Sequence, residues 1–126
     1  MSKEYYVNKR VAEVLKEKGF DWNCDSYYSK DGRITYTQLR LNHNGPDTQI
    51  SRPTLQMAHR WLMEKHNICI FCYPALLKQY GDWEAGACWI AENTSVIFYN
   101  SSHSMYDDEY KKALEKVMLY VLENII

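Results

Sequence analysis

"ISRPTLQMAHRWLMEKHNICIFCYP", running from Ile50 to Pro74, decides the fold because it sets one helix directly before one strand. Pro53 reads as the first helical residue, where its missing N–H costs nothing. Leu55, Ala58 and Leu62 then fall on one face, with Met57 and Trp61 beside it. Lys65 and His66 suit the negative end of the helix dipole, and Asn67 can adopt the left-handed conformation that closes a helix. From Ile68 to Tyr73 every position is apolar, which predicts a strand covered on both faces, central in its sheet and ended by Pro74.

The same stretch holds groups capable of chemistry, and their spacing sorts them. A structural zinc pair sits on a turn that lets both sulfurs converge. Cys69 and Cys72 lie instead on the expected strand, whose alternation sends them to opposite faces. That placement also denies them the helix N-terminus a reactive dithiol needs. Cys24 and Cys88 have no partner at short spacing, and His59 and His66 form no HExxH pair. The sequence therefore marks no catalytic residue, no metal ligand and no cofactor. Arg52, Gln56, His59 and Arg60 remain as a polar helix face; residues 52–66 carry three cations against Glu64, a net +2. Such a face can enter a DNA major groove, which makes nucleic-acid binding through the helix over 53–66 the alternative function. Strands flank this helix on both sides, so no helix-turn-helix companion accompanies it.

Working outward, Asn8 predicts the cap of a helix reaching Lys18, with Gly19 as its left-handed terminator and Phe20 folding back on the last turn. Residues 21–31 are polar and irregular apart from a short strand signal at Tyr27-Tyr28, and Asp31-Gly32 marks a hairpin turn. Ile34 to Leu41 reads as a strand. Ile34 and Tyr36 share a face while Leu39 and Leu41 fall on the other, so a bulge or twist is expected near Thr37-Gln38. Residues 43–48 form a loop. After Pro74, residues 76–86 read as a connection carrying Tyr80 and Trp83, followed by strands at 87–92 and 95–99 around an Asn93-Thr94 hairpin. Ser104 is the candidate cap of a last helix over 106–125, in which Tyr110, Ala113, Leu114, Val117, Val121 and Ile125 recur. The expected order is α-β-α-β-β-β-α in a single α+β domain over 1–126, with helices packed on a mostly antiparallel sheet of about four strands.

Composition bounds the function classes. The 126 residues suffice for one core, and the net charge of −1 argues against a dedicated nucleic-acid or membrane-surface protein. Residues 1–63 hold 10 Lys/Arg and 7 Asp/Glu, and residues 64–126 hold 5 and 9, so the halves differ in sign. No run approaches the roughly 18 apolar residues of a bilayer span, and the charged opening MSKEYYVNKRV lacks a secretory core, so a cytoplasmic protein with reduced thiols is expected. Aromatics are abundant, with 11 Tyr and 4 Trp, and favour binding surfaces as well as cores. Tyr80 and Trp83, on a connection beside a rigid sheet, are the candidate aromatic patch, with the inward-folded core lid as the alternative for Trp83.

Three segments carry a resemblance. Val7-Asn8 through Ala12, with Leu15-Lys16-Glu17-Lys18-Gly19-Phe20, form the first. Ser51-Arg52-Pro53-Thr54-Leu55, Ala58, Trp61-Leu62 and Glu64-Lys65-His66-Asn67-Ile68 form the second, and Met105 to Glu115 the third. Together they resemble a family of small proteins without assigned activity, found in Bacteroidetes genomes and their phages and prophages. Asn8 stands where that family has a capping Ser, and Arg52 where it has Ala. The resemblance implies a bacterial or phage setting and an accessory role, and it brings no site residues with it. The expected function is a non-enzymatic accessory or interaction domain that binds protein, either itself or a host or phage partner. An enzyme using a Cys or His in a pocket is the weaker alternative.

Overall fold

A computed structural model describes residues 5–75, 81–90, 95–99, 106–107 and 109–126. The chain is α+β and forms two compact units, Met1–Ala58 and His59–Ile126.

In the first unit, α1 (Lys9–Glu17) begins where expected: Asn8 Oδ1 accepts the Val11 N–H at 2.8 Å. It ends in a Schellman pair, with Phe20 N–H donating to Leu15 O at 2.9 Å and Gly19 N–H to Lys16 O at 3.1 Å. Gly19 has φ 92°, the left-handed conformation this ending requires. Val11, Ala12, Val14 and Leu15 are buried. The sheet follows as β1 (Cys24–Ser29), β2 (Ile34–Leu41) and β3 (Gln49–Ser51), antiparallel in the order β2-β1-β3. The Asp31-Gly32 turn joins β1 to β2, with Gly32 at φ 87°.

The expected bulge is present. Ser26 lies opposite Tyr36 and Cys24 opposite Leu41, so Thr37 to Arg40 hold extra residues against Asp25. These extra residues return Leu41 to the face that Ile34 and Tyr36 share, since Cys24, Ser26 and Tyr28 lie on one face of β1. The loop at 43–48 is pinned rather than loose. His43, 5% exposed, donates its backbone N–H to Ser51 Oγ at 2.9 Å, and its Nε2 meets Cys24 O at 3.2 Å.

The boundary between the units falls within α2 (Leu55–His66). The helix starts two residues later than Pro53 predicts. Thr54 Oγ1 accepts the Met57 N–H at 3.1 Å and is the cap, which leaves the buried Pro53 just outside the helix. The helix ends as expected: Asn67 has φ 56°, and its N–H donates to Met63 O at 3.1 Å.

The second unit contains β4 (Ile68–Pro74), β5 (Trp83–Ile90), β6 (Ser95–Tyr99), β7 (Tyr106–Asp107) and α3 (Tyr110–Asn124). β5 pairs antiparallel with β4 on one side and with β6 and β7 on the other. The central strand is therefore β5, and β4 is an edge, contrary to the apolar run that marked Ile68–Tyr73 as central. Glu84 to Cys88 are buried at every position, on both faces, and the small side chains of Ala85, Gly86 and Ala87 let neighbours approach closely. β4 alternates instead: Ile68 and Ile70 are buried, Cys69 and Phe71 half-buried, and Tyr73 exposed.

Two sheets thus replace the single sheet of about four strands, and β5 begins inside the segment read as a connection. The last helix begins at Tyr110, because Tyr106 and Asp107 are spent as a strand and Glu109 is the cap residue. Ser104 and the Asn93-Thr94 turn lie outside the described residues. α3 packs on β4, β5 and β7 and buries Ala113, Val117, Met118, Val121 and Leu122.

Candidate functional site

Two features of the first unit stand out: a caged arginine and an apolar sheet edge. Arg52 leaves β3 immediately after Ser51, and its backbone N–H donates to Ser26 O at 2.9 Å. This continues the strand register, so Tyr36, Ser26 and Arg52 form one row on one face of the sheet. Arg52 Nη1 donates to Tyr36 Oη at 3.0 Å and to the fully buried Ser26 Oγ at 3.2 Å. Its guanidinium carbon lies 4.1 Å from the Tyr6 ring centroid, 5.5 Å from that of Tyr36 and 5.7 Å from that of Tyr28.

The tyrosines are themselves fixed. Tyr28 Oη donates to Val7 O at 2.8 Å, Tyr6 Oη donates to Asp25 Oδ1 at 3.3 Å, and the Tyr6 and Tyr36 rings meet edge to face at 5.8 Å. Burial, the largest influence on Arg52, opposes its charge, but the Tyr36 and Tyr28 hydroxyls outweigh it and raise its pKa, so the side chain stays cationic. No carboxylate among the described residues pairs with it. Its Nε is buried and meets no acceptor, the one such side-chain nitrogen or oxygen among the described residues. Arg52 was expected on an outward helix face; it sits instead before the helix, over the sheet.

β2 is the outer strand of that sheet, and among the described residues it has no partner on its far side. Its large apolar side chains face solvent: Ile34 is 46% exposed, Tyr36 62%, Leu39 72% and Leu41 52%. Ser29 N–H donates to Arg33 O at 2.8 Å, which makes that a hydrogen-bonded pair. Antiparallel alternation then turns the N–H and C=O groups of Ile34 and Tyr36 away from β1, toward the open edge.

The other candidate residues are dispersed. Gln56 and Arg60 are exposed, Gln56 in the first unit and Arg60 in the second. His59 is half-buried, and its Nε2 accepts the Ile70 N–H at 3.0 Å, which ties α2 to β4; burial pushes its pKa down. Trp83 is half-buried and packs edge to face on Tyr110 at 5.2 Å. Tyr80 lies outside the described residues. Tyr6, Ser26, Tyr28 and Tyr36 were not marked by the sequence. They come from separate strands and from the segment before α1, and no spacing motif links them.

The thiols of Cys24, Cys69 and Cys72 are poor nucleophiles. Burial pushes Cys24 up to about 12 and Cys72 up to about 11, and it raises Cys69, which lies opposite Cys88 in the β4–β5 register. Cys69 and Cys72 lie on opposite faces of β4, as strand alternation requires. No cluster of three or more His, Cys, Asp or Glu among the described residues has the geometry to hold a metal ion. His43 Nε2 meets the Cys24 carbonyl and not its sulfur, so the two form no thiol–imidazole pair. An open depression of about 600 Å³ beside Tyr27, Ser29, Lys30, Asp31, Thr48 and Gln49 contains neither a cysteine nor a histidine. No protein-family model, no curated protein and no solved structure matches the chain.

Proposed function

We propose that the chain is a non-enzymatic interaction domain, an accessory protein of a bacterial or phage setting, that binds an extended segment of another protein along the open edge of β2. The observation carrying this reading is the edge itself, where exposed Ile34, Tyr36, Leu39 and Leu41 accompany outward peptide groups at Ile34 and Tyr36. An edge strand with unpaired peptide groups offers main-chain hydrogen bonds to an added strand, and its side chains give selectivity. Apolar side chains clustered on such an edge favour a protein partner over solvent.

Charge narrows the partner. Arg33 precedes the strand and Arg40 lies within it, while Ile34 to Leu41 contain no carboxylate. Antiparallel pairing of two copies would bring Arg33 of one toward Arg40 of the other, and like charges across strands destabilise. An acidic extended segment of a different protein fits better. His59 is engaged with β4 and Arg52 with tyrosines, so the helical face offered for DNA is depleted of two of its polar groups.

The test is selection of a random peptide library on the wild-type protein and on the Ile34→Lys/Leu39→Lys variant, followed by amide hydrogen exchange. Acidic peptides that slow exchange at Ile34 and Tyr36, and lose about tenfold or more in affinity on the variant, are the expected result. Peptides that bind both proteins equally would sink the edge reading. Salt-dependent DNA retention by the wild-type protein would restore the nucleic-acid alternative.

A further inference from the structure

We infer that Cys69 and Cys88 form a two-thiolate site for a soft, two-coordinate metal ion, Cu(I). The site is independent of the β2 edge, since both cysteines lie in the second unit and β2 lies in the first. Cys69 on β4 stands directly opposite Cys88 on β5, and residues opposite one another in a sheet carry their side chains on one face. Phe71 and the exposed Tyr73 share that face of β4, whereas the buried Ile68 and Ile70 lie on the other together with Cys72. Cys69 is half-buried, which leaves one sulfur within reach of an incoming ion, and Cys88 is 8% exposed. Among the described residues no third His, Cys, Asp or Glu joins them in a cluster able to hold a metal ion.

The strand register decides what the pair can hold. Ile90 N–H donates to Asn67 O at 2.7 Å, and Ala75 N–H donates to Asp82 O at 2.8 Å. Every second pair between these ends is hydrogen-bonded, which includes Cys69 with Cys88. That is the wider kind of pair, with Cβ atoms about 5.5 Å apart, beyond the roughly 3.5–4.5 Å a disulfide needs. An ion between the sulfurs lengthens the bridge. Two metal–sulfur bonds of about 2.3 Å each set the sulfurs roughly 4–5 Å apart, a span the pair accepts without moving its strands. Soft thiolates select Cu(I), whereas a structural zinc demands four ligands and finds two. Burial, and after it the facing Cys88, holds the Cys69 thiol above its ordinary value, and the two thiols are close enough to share a hydrogen bond. A cation between them removes the repulsion of paired thiolates. Binding involves no electron transfer: two S–H bonds break, two Cu–S bonds form, and two protons leave to solvent.

The reduced full chain, kept free of oxygen, is titrated with Cu(I) held by the chromophoric chelator bicinchoninate, and the bound copper is characterised by X-ray absorption. One copper per chain should leave the chelator, with two sulfur neighbours, on a chain that sediments unchanged, and excess zinc should not displace it. Cys69→Ser removes one ligand at a half-buried position and should weaken Cu(I) binding by more than the roughly 10–100-fold that losing an outer-shell partner costs. Cys72→Ser, on the other face, should keep the copper. Copper left on the chelator, three or more sulfurs around it, copper shared between two chains, displacement by zinc, or equal retention by Cys69→Ser would each overturn the inference. Ready closure of a Cys69–Cys88 disulfide by glutathione disulfide in the folded protein would overturn it in favour of a redox pair. The wild-type stoichiometry and sulfur count decide the matter even if a variant fails to fold. Peptide binding at β2 has no bearing on this outcome, so the two readings fail separately.

Discussion

His59 reads in the sequence as part of an outward polar face, yet its Nε2 accepts the Ile70 N–H. That role requires a neutral ring, and burial holds its pKa below the ordinary 6.5. The unfolded chain protonates this histidine first, so its contribution to stability is present above about pH 6.5 and is lost as pH falls through the lower folded value. His66 shifts the same way, again by burial, and adds to the slope. His59→Gln retains an acceptor without titrating, and it should flatten stability against pH between about 5 and 7 in urea unfolding. Trp61 is 3% exposed and sits edge to face with His66 at 4.9 Å. Trp61→Ala should cost about 3–5 kcal/mol by denaturant unfolding, and a loss below about 1 kcal/mol would show that the ring is not part of the core. Cys24 is 1% exposed with its thiol pushed up to about 12. It should stay unreactive toward a thiol reagent in the native protein at neutral pH and react on unfolding.

Elements with local stop and start signals were legible, and those defined by partners were not. α1 was readable because Asn8, Gly19 and Phe20 act within a few residues of the helix they bound. A Cβ at Gly19 would meet nothing within 4 Å, so Gly19→Ala should cost only the backbone strain of φ 92°, about 1 kcal/mol, measurable by urea unfolding. The hairpin turn and the bulge in β2 were readable for the same reason, from Asp31-Gly32 and from the broken alternation after Tyr36. β1 alternates buried and half-buried positions with Cys24, Ser26 and Tyr28 inward, and a buried serine hides that pattern from any hydrophobicity rule. β3 is three residues long, too short to show periodicity. The central position passed from β4 to β5 because a run of Ala and Gly looks weak in sequence, although small side chains are what crowding on both faces demands. The Arg52 niche was half legible: the arginine stood out, but the tyrosines around it are gathered by sheet pairing.

At the scale of the whole molecule, the two units share one helix in sequence, and only Leu55 to Ala58 of α2 belong to the first. Isolated helices shorter than about 12 residues are marginal in water. A fragment of residues 1–58 keeps Thr54 and Met57 but should not hold Leu55–Ala58 as a helical turn, so the amides of Leu55 to Ala58 should exchange far faster than in the full chain. No helix among the described residues is long and apolar enough to cross a membrane. The bulge at Thr37 to Arg40 has a further consequence for the behaviour of the chain at high concentration. A flat, straight edge rich in apolar side chains templates open-ended stacking into fibrils, whereas a bulge bends the strand and breaks its ladder. Ile34 to Tyr36 can take up one short strand, and the irregularity that follows stops a zipper from growing past it. Restoring a regular ladder by deleting residues from the bulge would turn a recognition edge into a seed for amyloid-like aggregation.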